Sequence, residues 1–372
     1  MGCFLASKGA TVLCTVLNAT QEDKDDAAKD GIQLVFPKTF KRDLRKAELC
    51  WLTFDHQTRY PDLPSHVDFI VGHVHVTSHA GRRIKERFPD AKLVQVTHVI
   101  PEDTNQYKGD ERVLSIGQES HNILDDLQHT DVLFSVGPLM YDYYKHQTNQ
   151  LPVNLQHHEL LPKPSDIFID MKLKPPADTE TKVVLSIGRV KGVERLKGVD
   201  LTAKTMGKVI DKLPHTKWRL RGIRHDDFKA SKSIIETYTG NIIFFTPLEY
   251  ATQEELCEDM RKADVVLMLS RAEPFGLVGL EAIAAGVPVV LSNKSGLAKF
   301  LTKQDPEFDR TIVEIDDDDE EAAKTLSKRV IKILTNGRRE FEAAQSLKKK
   351  LLRSEYWAAS HSKLLQTFGL EG

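Results

Sequence analysis

The most constraining feature of this 372-residue chain is a helix start that carries two glutamates and lies between two apolar segments. The first segment, Ala263–Ser270, is short and rich in branched residues, which is typical of a buried parallel strand. Leu277–Ala285 has helix-forming composition, and Val287–Leu291 predicts the next strand. This order predicts a parallel α/β sheet with Glu273 at the carboxyl end of a strand, where open α/β sheets bind ligands.

The loop between these strands predicts direct ligand contacts. Gly276 allows the backbone to come close to a ligand, and the free N–H groups of Leu277 and Val278 open a helix N-terminus suited to phosphate. Glu281 lies about one turn inside the helix, where its carboxylate can reach the ribose of a bound nucleotide. The alternative is a capped helix in which one Glu complements the helix dipole and the other lies at the surface.

Length, composition and charge indicate a soluble protein of about two domains. The chain is too long for one ordinary core, and 40% hydrophobic with 28% charged residues is a globular composition. A net charge of -2 argues against a nucleic-acid partner. We find no apolar run long enough for a transmembrane segment and no signal region. The four scattered cysteines predict reduced thiols and a cytoplasmic location, without metal spacing.

The N-terminal part alternates predicted strands with helices, which implies a parallel sheet with right-handed crossovers. The predicted strands are Thr11–Leu17, Ile32–Phe36, Leu49–Thr53, Phe69–His73, Lys92–Val96 and Val132–Val136, and the helical patterns include His79–Arg87 and Gln118–Leu127. A polar, proline-rich stretch then predicts a linker at 161–181 between an N-terminal domain at 1–160 and a C-terminal domain at 182–345.

A second alternating set predicts the C-terminal domain. Its first elements are the strand Val183–Ile187, helix Gly198–Leu213, strand Lys217–Arg221, helix Asp226–Tyr238, strand Asn241–Phe245 and helix Glu254–Lys262. The acidic run Asp316–Glu321 precedes a helix at Ala322–Leu334, and a solvated helix N-terminus is favoured there over a metal site. Arg339–Phe368 is predicted to be helical with Trp357 as an apolar anchor, and 346–372 is predicted to pack back on the N-terminal domain.

Two cations are predicted at the same sheet edge as Glu273. A buried strand ends in Gly188-Arg189, and the following loop leads to Lys197 at the next helix start. Two cations beside a helix N-terminus suit a diphosphate, whose developing charge they would stabilise when it leaves. The alternative for each is a solvated basic residue. The sequence has neither a Gly-x-x-x-x-Gly-Lys-Ser/Thr loop nor a Gly-x-Gly-x-x-Gly turn after a strand, which disfavours NTPases and dehydrogenases.

With these residues, the C-terminal half resembles the retaining nucleotide-sugar glycosyltransferases of family 4, which have the GT-B fold. The family pattern is Gly-Arg, Lys-Gly, a strand ending in Gly, two Glu separated by seven residues, and Ala-x-Gly-x-Pro-Val. This chain carries the pattern at Gly188-Arg189, Lys197-Gly198, Arg221-Gly222, Glu273–Glu281 and Ala284–Val289. The resemblance implies an α/β protein with two Rossmann-like, doubly wound parallel-sheet domains that face a cleft.

The resemblance also implies roles for individual residues. Arg189 and Lys197 are expected to hold the donor pyrophosphate, Glu273 to face the transferred sugar, and Glu281 to bind the ribose hydroxyls. The remaining residues expected to contact the donor are Gly188, Phe275, Gly276, Leu277 and Val278 near the sugar and phosphates, and Gly222 and Leu248 near the base. No cofactor or metal is expected, the expected donor is a UDP-sugar, and the acceptor stays open.

Histidines mark the expected cleft in the N-terminal half, where the resemblance is looser. Val67–His73 and Val94–His98 are similar to family strands that end at the cleft. His98 is the residue expected near the reaction, with a structural histidine as an equal alternative. For His73 and His75 the structural role is favoured.

The start of the chain departs from the family pattern. Family members begin with a strand and a Gly-rich loop before the first helix, whereas Met1 already lies at the predicted first helix. We therefore expect an N-terminal domain that lacks its first strand, whether Met1 is the natural start or a cut boundary. Two functions stay open: a retaining glycosyltransferase, and a non-catalytic nucleotide-sugar sensor or interaction domain from a larger protein. A GT-B epimerase or phosphorylase is less favoured.

Overall fold

All paired strands that the structure describes are parallel, and they form three sheets. The computed structural model describes residues 1–41, 43, 47–74, 76–108, 110–173, 175, 179–193, 195–239 and 245–370, with backbone only at 110–112. The strands are β1 Val12–Thr15, β2 Ile32–Val35, β3 Phe69–His73, β4 Lys92–Thr97, β5 Val132–Val136, β6 Gln156–Leu160, β7 Lys182–Ile187, β8 Thr216–Arg221, β9 Phe245–Leu248, β10 Val265–Met268, β11 Val289–Ser292 and β12 Ile312–Val313.

Helices alternate with these strands along most of the chain. They are α1 Gly2–Ser7, α2 Gln21–Lys29, α3 His56–Arg59, α4 Ser78–Arg87, α5 Pro101–Asn105, α6 Asp110–Leu127, α7 Gly137–Thr148, α8 Asp166–Ile169, α9 Val199–Lys212, α10 Phe228–Thr239, α11 Gln253–Arg261, α12 Leu277–Ala285, α13 Gly296–Gln304, α14 Asp319–Thr335, α15 Gly337–Arg353 and α16 Ala358–Thr367. The predicted α/β class is confirmed. None of the helices in the described ranges is both long and apolar enough to span a membrane.

The N-terminal domain holds a four-stranded sheet in the order β3-β4-β5-β6, and β1 with β2 forms a separate two-stranded sheet. Helix α1 packs through the buried Leu5 against Val94 and Val96 of β4. The last helix, α16, covers the same face through Leu364, and the Phe368 ring lies 4.7 Å from that of Phe69. The C-terminal end of the chain therefore packs on the N-terminal domain.

The predicted strand Leu49–Thr53 is wrong, because residues 49–52 form a 3-10 turn. Two consecutive side chains, Trp51 and Leu52, are both buried there. An extended strand would point them to opposite faces, whereas a tight turn can place both toward the core. The Arg59 guanidinium carbon lies 3.7 Å from the centre of the Trp51 ring and covers it.

Other differences from the predicted elements also follow from local chemistry. Strand β6 was not predicted because its sequence, Gln-His-His-Glu-Leu, lacks an apolar face, yet it pairs with β5 along its whole length. The predicted helix 339–368 is interrupted between α15 and α16, where Glu355 has a φ of 43°. Trp357 is only half-buried, and the Tyr356 hydroxyl is the anchored group, since it donates to the Pro162 carbonyl over 2.7 Å. Residue 75 and most of the predicted strand 241–245 lie outside the described residues.

The C-terminal sheet has the order β12-β11-β10-β7-β8-β9. From β7 the chain first adds β8 and β9 on one side and then returns to add β10, β11 and β12 on the other. The central strands β10 and β11 bury both faces: in β10, Val265 and Leu267 face one apolar cluster and Val266 and Met268 face the other. The point where the strand order reverses lies between β7 and β10, and ligands bind in the crevice at such a point.

The junction of the β7 loop with α9 depends on a glycine. Gly198 has a φ of 63°, and a Cβ atom there would overlap the Leu269 carbonyl oxygen of the neighbouring loop. Gly192, in the same β7 loop, has a similar φ of 74° but open space where a Cβ would lie. An alanine at either position would have an unfavourable backbone conformation, but only an alanine at position 198 would also overlap the neighbouring loop. Comparing the two substitutions therefore measures the overlap alone.

We expect Gly198→Ala to lower the free energy of unfolding more than Gly192→Ala. Each substitution costs about 1–2 kcal/mol for the left-handed conformation. Gly198→Ala adds about 1–3 kcal/mol because the β10 loop must move. Urea unfolding of both variants and of the parent chain measures the difference. Equal losses would show that the two loops do not approach each other as described.

Candidate functional site

The two loops at the strand-order reversal bring Lys197 and Glu273 together. Lys197 Nζ lies 2.8 Å from Glu273 Oε2, and the Ser270 hydroxyl donates to the same oxygen over 3.0 Å. The Lys197 side chain is 29% exposed and that of Glu273 is 16% exposed, so both remain partly accessible to solvent. The lysine expected to bind phosphate and the glutamate expected to face the sugar therefore lie side by side.

A buried arginine fixes these two loops to each other. Arg271 Nη1 lies 2.6 Å from Asp200 Oδ1 at the start of α9, and Nη2 lies 2.5 Å from Asp319 Oδ1 at the start of α14. The guanidinium also donates to the Arg195 carbonyl over 3.0 Å, and the Arg271 N–H donates to the Leu196 carbonyl over 3.0 Å. The loop that carries Lys197 is thereby held against the loop that carries Glu273.

The loop from Glu273 to α12 leaves a helix N-terminus open. Gly276 precedes α12 with a φ of 117°, a conformation that favours glycine. The Glu273 carbonyl accepts from Gly296 N–H over 2.9 Å, and the Phe275 carbonyl accepts from Leu297 N–H over 2.6 Å. The Leu277 side chain is 51% exposed, so the first turn of α12 faces solvent. Its free N–H groups can bind an anion.

Glu281 is one turn inside α12 and is only partly exposed. It forms no hydrogen bond or ion pair within the described ranges. Burial raises its pKa to about 7, because the carboxylate loses water without gaining a partner. A ligand that donates hydrogen bonds to this carboxylate would favour its charged form.

The predicted phosphate and base contacts lie along the same sheet edge. Arg189 is exposed and has no partner in the described part of the chain. Gly188 and Gly222 follow β7 and β8, with a φ of 107° at Gly222, whose N–H donates to the Leu248 carbonyl over 3.0 Å. From Glu273, which follows β10, the expected contacts run in order across the ends of β7, β8 and β9.

His98 comes directly after a strand of the sheet in the N-terminal domain. It is exposed at the carboxyl end of β4, and its ring centre is 5.7 Å from that of His73. Burial, followed by the charge of His98, lowers the pKa of His73. The structure thus pairs the two histidines at the end of the N-terminal sheet.

The domains meet beside the Glu273 loop. The Phe275 ring lies so close to Gly137, at the start of α7, that a Cβ atom on Gly137 would overlap it. Lys299 of α13 forms an ion pair with Asp142 of α7 over 2.8 Å. Gly137 has a φ of 81°, which together with the aromatic contact explains why glycine is needed there.

A cavity of about 450 Å³ opens between the domains and includes Glu273. Its N-terminal wall is formed by residues in and around α5, including Asp103 and Tyr107, and its C-terminal wall by the loops after β10, β11 and β12. We did not predict Asp103, Ser270 or Arg271 from the sequence. Only the position of Ser270 and Arg271 just before Glu273 could have pointed to them.

The acidic run before α14 caps the N-terminus of that helix, as predicted. The Asp318 side chain accepts from the N–H groups of Glu320 and Glu321, and Asp319 pairs with Arg271. Within the residues whose placement is described, no group of three or more His, Cys, Asp or Glu side chains is arranged to hold a metal ion.

We expect the pKa of Glu281 to make the free energy of unfolding depend on pH. The folded carboxyl keeps its proton up to a pKa of about 7, whereas an unfolded one ionises near the ordinary glutamate pKa of 4.5. The stabilisation is therefore fully present below about pH 4.5 and is lost as the pH rises through 7. Between pH 4.5 and 7, the free energy of unfolding of the parent should therefore fall relative to that of Glu281→Gln by up to about 1.4 kcal/mol per pH unit. Parallel pH profiles would contradict the assignment.

Comparison with known proteins places this chain in a family. A sequence profile described as "Family 4 Glycosyltransferase in conflict systems" matches residues 1–364. The chain is 33% identical over 128 residues to a D-inositol 3-phosphate glycosyltransferase of Pseudarthrobacter chlorophenolicus, a match that covers 33% of this chain and 29% of that protein. It is 28% identical over 130 residues to a mannosylfructose-phosphate synthase of Agrobacterium fabrum, covering 33% and 28%. The chain thus aligns with under a third of the length of these two relatives.

Solved structures show the same fold across the whole chain. Sucrose-phosphate synthase from Thermosynechococcus elongatus matches with a TM-score of 0.71 and 19% identity, over 100% of this chain and 92% of that one. WaaG, a glycosyltransferase involved in lipopolysaccharide biosynthesis, matches with a TM-score of 0.58 and 15% identity, over 94% and 88%. The predicted GT-B fold is confirmed. Because the family profile spans nearly the whole sequence, the chain belongs to the family 4 glycosyltransferases of conflict systems.

Proposed function

We propose that the chain transfers a sugar from a nucleoside diphosphate donor to an acceptor with retention of the anomeric configuration. The observation that carries the proposal is the Lys197–Glu273 pair, which lies at the strand-order reversal beside the open N-terminus of α12. In this arrangement, groups that can bind phosphate lie next to a carboxylate that can bind a sugar hydroxyl, with Lys197 and Glu273 joined by a hydrogen bond. A UDP-sugar is the expected donor, with the base over Gly222 and Leu248.

In this scheme Arg189, Lys197 and the N–H groups of α12 hold the diphosphate, and Glu281 binds the ribose. The bond between the sugar C1 and the diphosphate oxygen breaks, and C1 bonds to the acceptor oxygen on the same face. The acceptor proton passes to the leaving diphosphate, whose charge the two cations stabilise. The chain's own cations and helix dipole supply this stabilisation, so the scheme needs no metal or cofactor.

Several finer features belong to the proposal. The N-terminal domain at 1–160 would present the acceptor and the domain at 182–345 would bind the donor, with the linker at 161–181 between them and the final segment at 346–372 packed back on the N-terminal domain. Closure of the two domains would exclude water and limit donor hydrolysis. His98 would face the cleft. The protein is expected to be cytoplasmic. Family membership favours this enzyme over the non-catalytic sensor.

Calorimetric titration with UDP, GDP and ADP, and with their glucose conjugates, tests the proposal and identifies the base. We expect Arg189→Ala and Lys197→Ala to weaken both the diphosphate and the sugar nucleotide, because each removes a charge-assisted contact of about 1.5–3 kcal/mol. Glu273→Ala should weaken only the sugar nucleotide. Lys191→Ala, which removes an exposed lysine of the same loop paired with Asp227, is the control and should change neither.

Two results would contradict the proposal. One is the absence of binding for all of these ligands at millimolar concentration in the parent chain. The other is an equal loss of diphosphate and sugar nucleotide affinity in Glu273→Ala, because the carboxylate would then not face the sugar.

A further inference from the structure

The interdomain cavity lies beyond the sugar end of the proposed donor site. The expected base contacts are at β8 and β9, the diphosphate contacts are at β7, and Glu273 follows β10. The cavity starts at Glu273 and continues along the loops after β11 and β12, on the side of the sheet away from the base. A second substrate in contact with the donor sugar would therefore occupy it.

Both domains enclose this cavity, which limits what can enter. Tyr107, from the segment after α5, packs against Val193, Leu196 and Ala272 of the C-terminal loops. The cavity volume of about 450 Å³ is that of an ordinary small-molecule site, about 300–1,000 Å³. The cavity suits a small acceptor rather than a folded protein surface.

The cations that line the cavity are mostly neutralised by the chain itself. Arg271 pairs with Asp200 and Asp319, and Lys299 pairs with Asp142. Arg195 also pairs with Asp200, over 3.3 Å. Lys294 alone among the lining cations has no carboxylate partner within the described residues.

The carboxylates that line the cavity are less well compensated. Asp103, Asp316 and Asp317 form no ion pair in the part of the chain that the structure describes. Asp103 is half-buried on α5, in the wall that faces the Glu273 loop, and burial followed by the neighbouring Glu102 raises its pKa. The environment of Asp103 therefore lacks a nearby positive charge, which a ligand can supply.

We infer that the cavity binds a small hydroxyl-bearing acceptor with a positive charge, such as an amino sugar, and that Asp103 binds its ammonium group. The inference rests on the proposed function, because it takes the donor sugar to lie at Glu273. An ammonium group would form a charge-assisted hydrogen bond with Asp103. A phosphorylated acceptor would instead meet three unpaired carboxylates and one unpaired lysine, so like-charge repulsion disfavours it.

Three sugars that share the glucose ring and carry a positive, a neutral and a negative net charge test this inference on the full chain. Glucosamine, glucose and glucose 6-phosphate are titrated at pH 7 in the presence of saturating UDP, or of whichever diphosphate binds. We expect glucosamine to bind about tenfold more tightly than glucose, and glucose 6-phosphate to bind most weakly. Asp103→Asn should remove the preference for glucosamine without changing the affinity for the diphosphate. Asp90→Asn, at an exposed carboxylate on the turn before β4, is the matched control and should keep the preference.

The outcomes distinguish a failure of the proposed function from a failure of the inference about the acceptor. If no diphosphate binds, the proposed function fails. The inference about the acceptor is overturned if a diphosphate binds but glucose 6-phosphate binds as tightly as glucosamine. It is also overturned if a diphosphate binds but none of the three sugars does. A preference for glucosamine that survives in Asp103→Asn would overturn the role of Asp103.

Discussion

The Arg271 guanidinium is the interaction on which the site depends. It is 8% exposed, and it bridges the fully buried Asp200 on α9 and Asp319 on α14. A buried arginine stranded without its carboxylates would be strongly destabilising, so these three groups hold one another in place. Because Arg271 also binds the backbone of the β7 loop, the position of Lys197 relative to Glu273 follows from this network.

The sequence was sufficient to predict which loops meet, because parallel strands end at a common edge. Gly188-Arg189, Lys197 and Glu273 each follow a recognisable apolar strand, and their proximity required only that β7 and β10 be neighbours. The distant partners of Arg271 could not be predicted, since Asp200 and Asp319 are ordinary first-turn acids of helices far apart in sequence. Leu49–Thr53 was mispredicted for a related reason: its apolar residues fit a strand until the packing of Trp51 is known.

The cavity between the domains was also beyond the reach of sequence patterns. It depends on how α5 faces the loops of the other domain, and Asp103 has no pattern that distinguishes it from a surface acid. The contact of Phe275 with Gly137 places the Glu273 loop against the N-terminal domain. A change in the angle between the domains would therefore move Phe275, which is two residues from Glu273.

We expect Arg271 to serve the site by holding Lys197 in place rather than by contacting the diphosphate. A double-mutant cycle measures this directly, with calorimetric affinities for the bound diphosphate in the parent, Arg271→Met, Lys197→Ala and the double variant. Because Arg271 acts through Lys197, its substitution should weaken binding in the parent but have little further effect in Lys197→Ala, with a coupling of about 1 kcal/mol or more. Losses that add to within about 0.5 kcal/mol would show that the two residues act independently and would contradict the account.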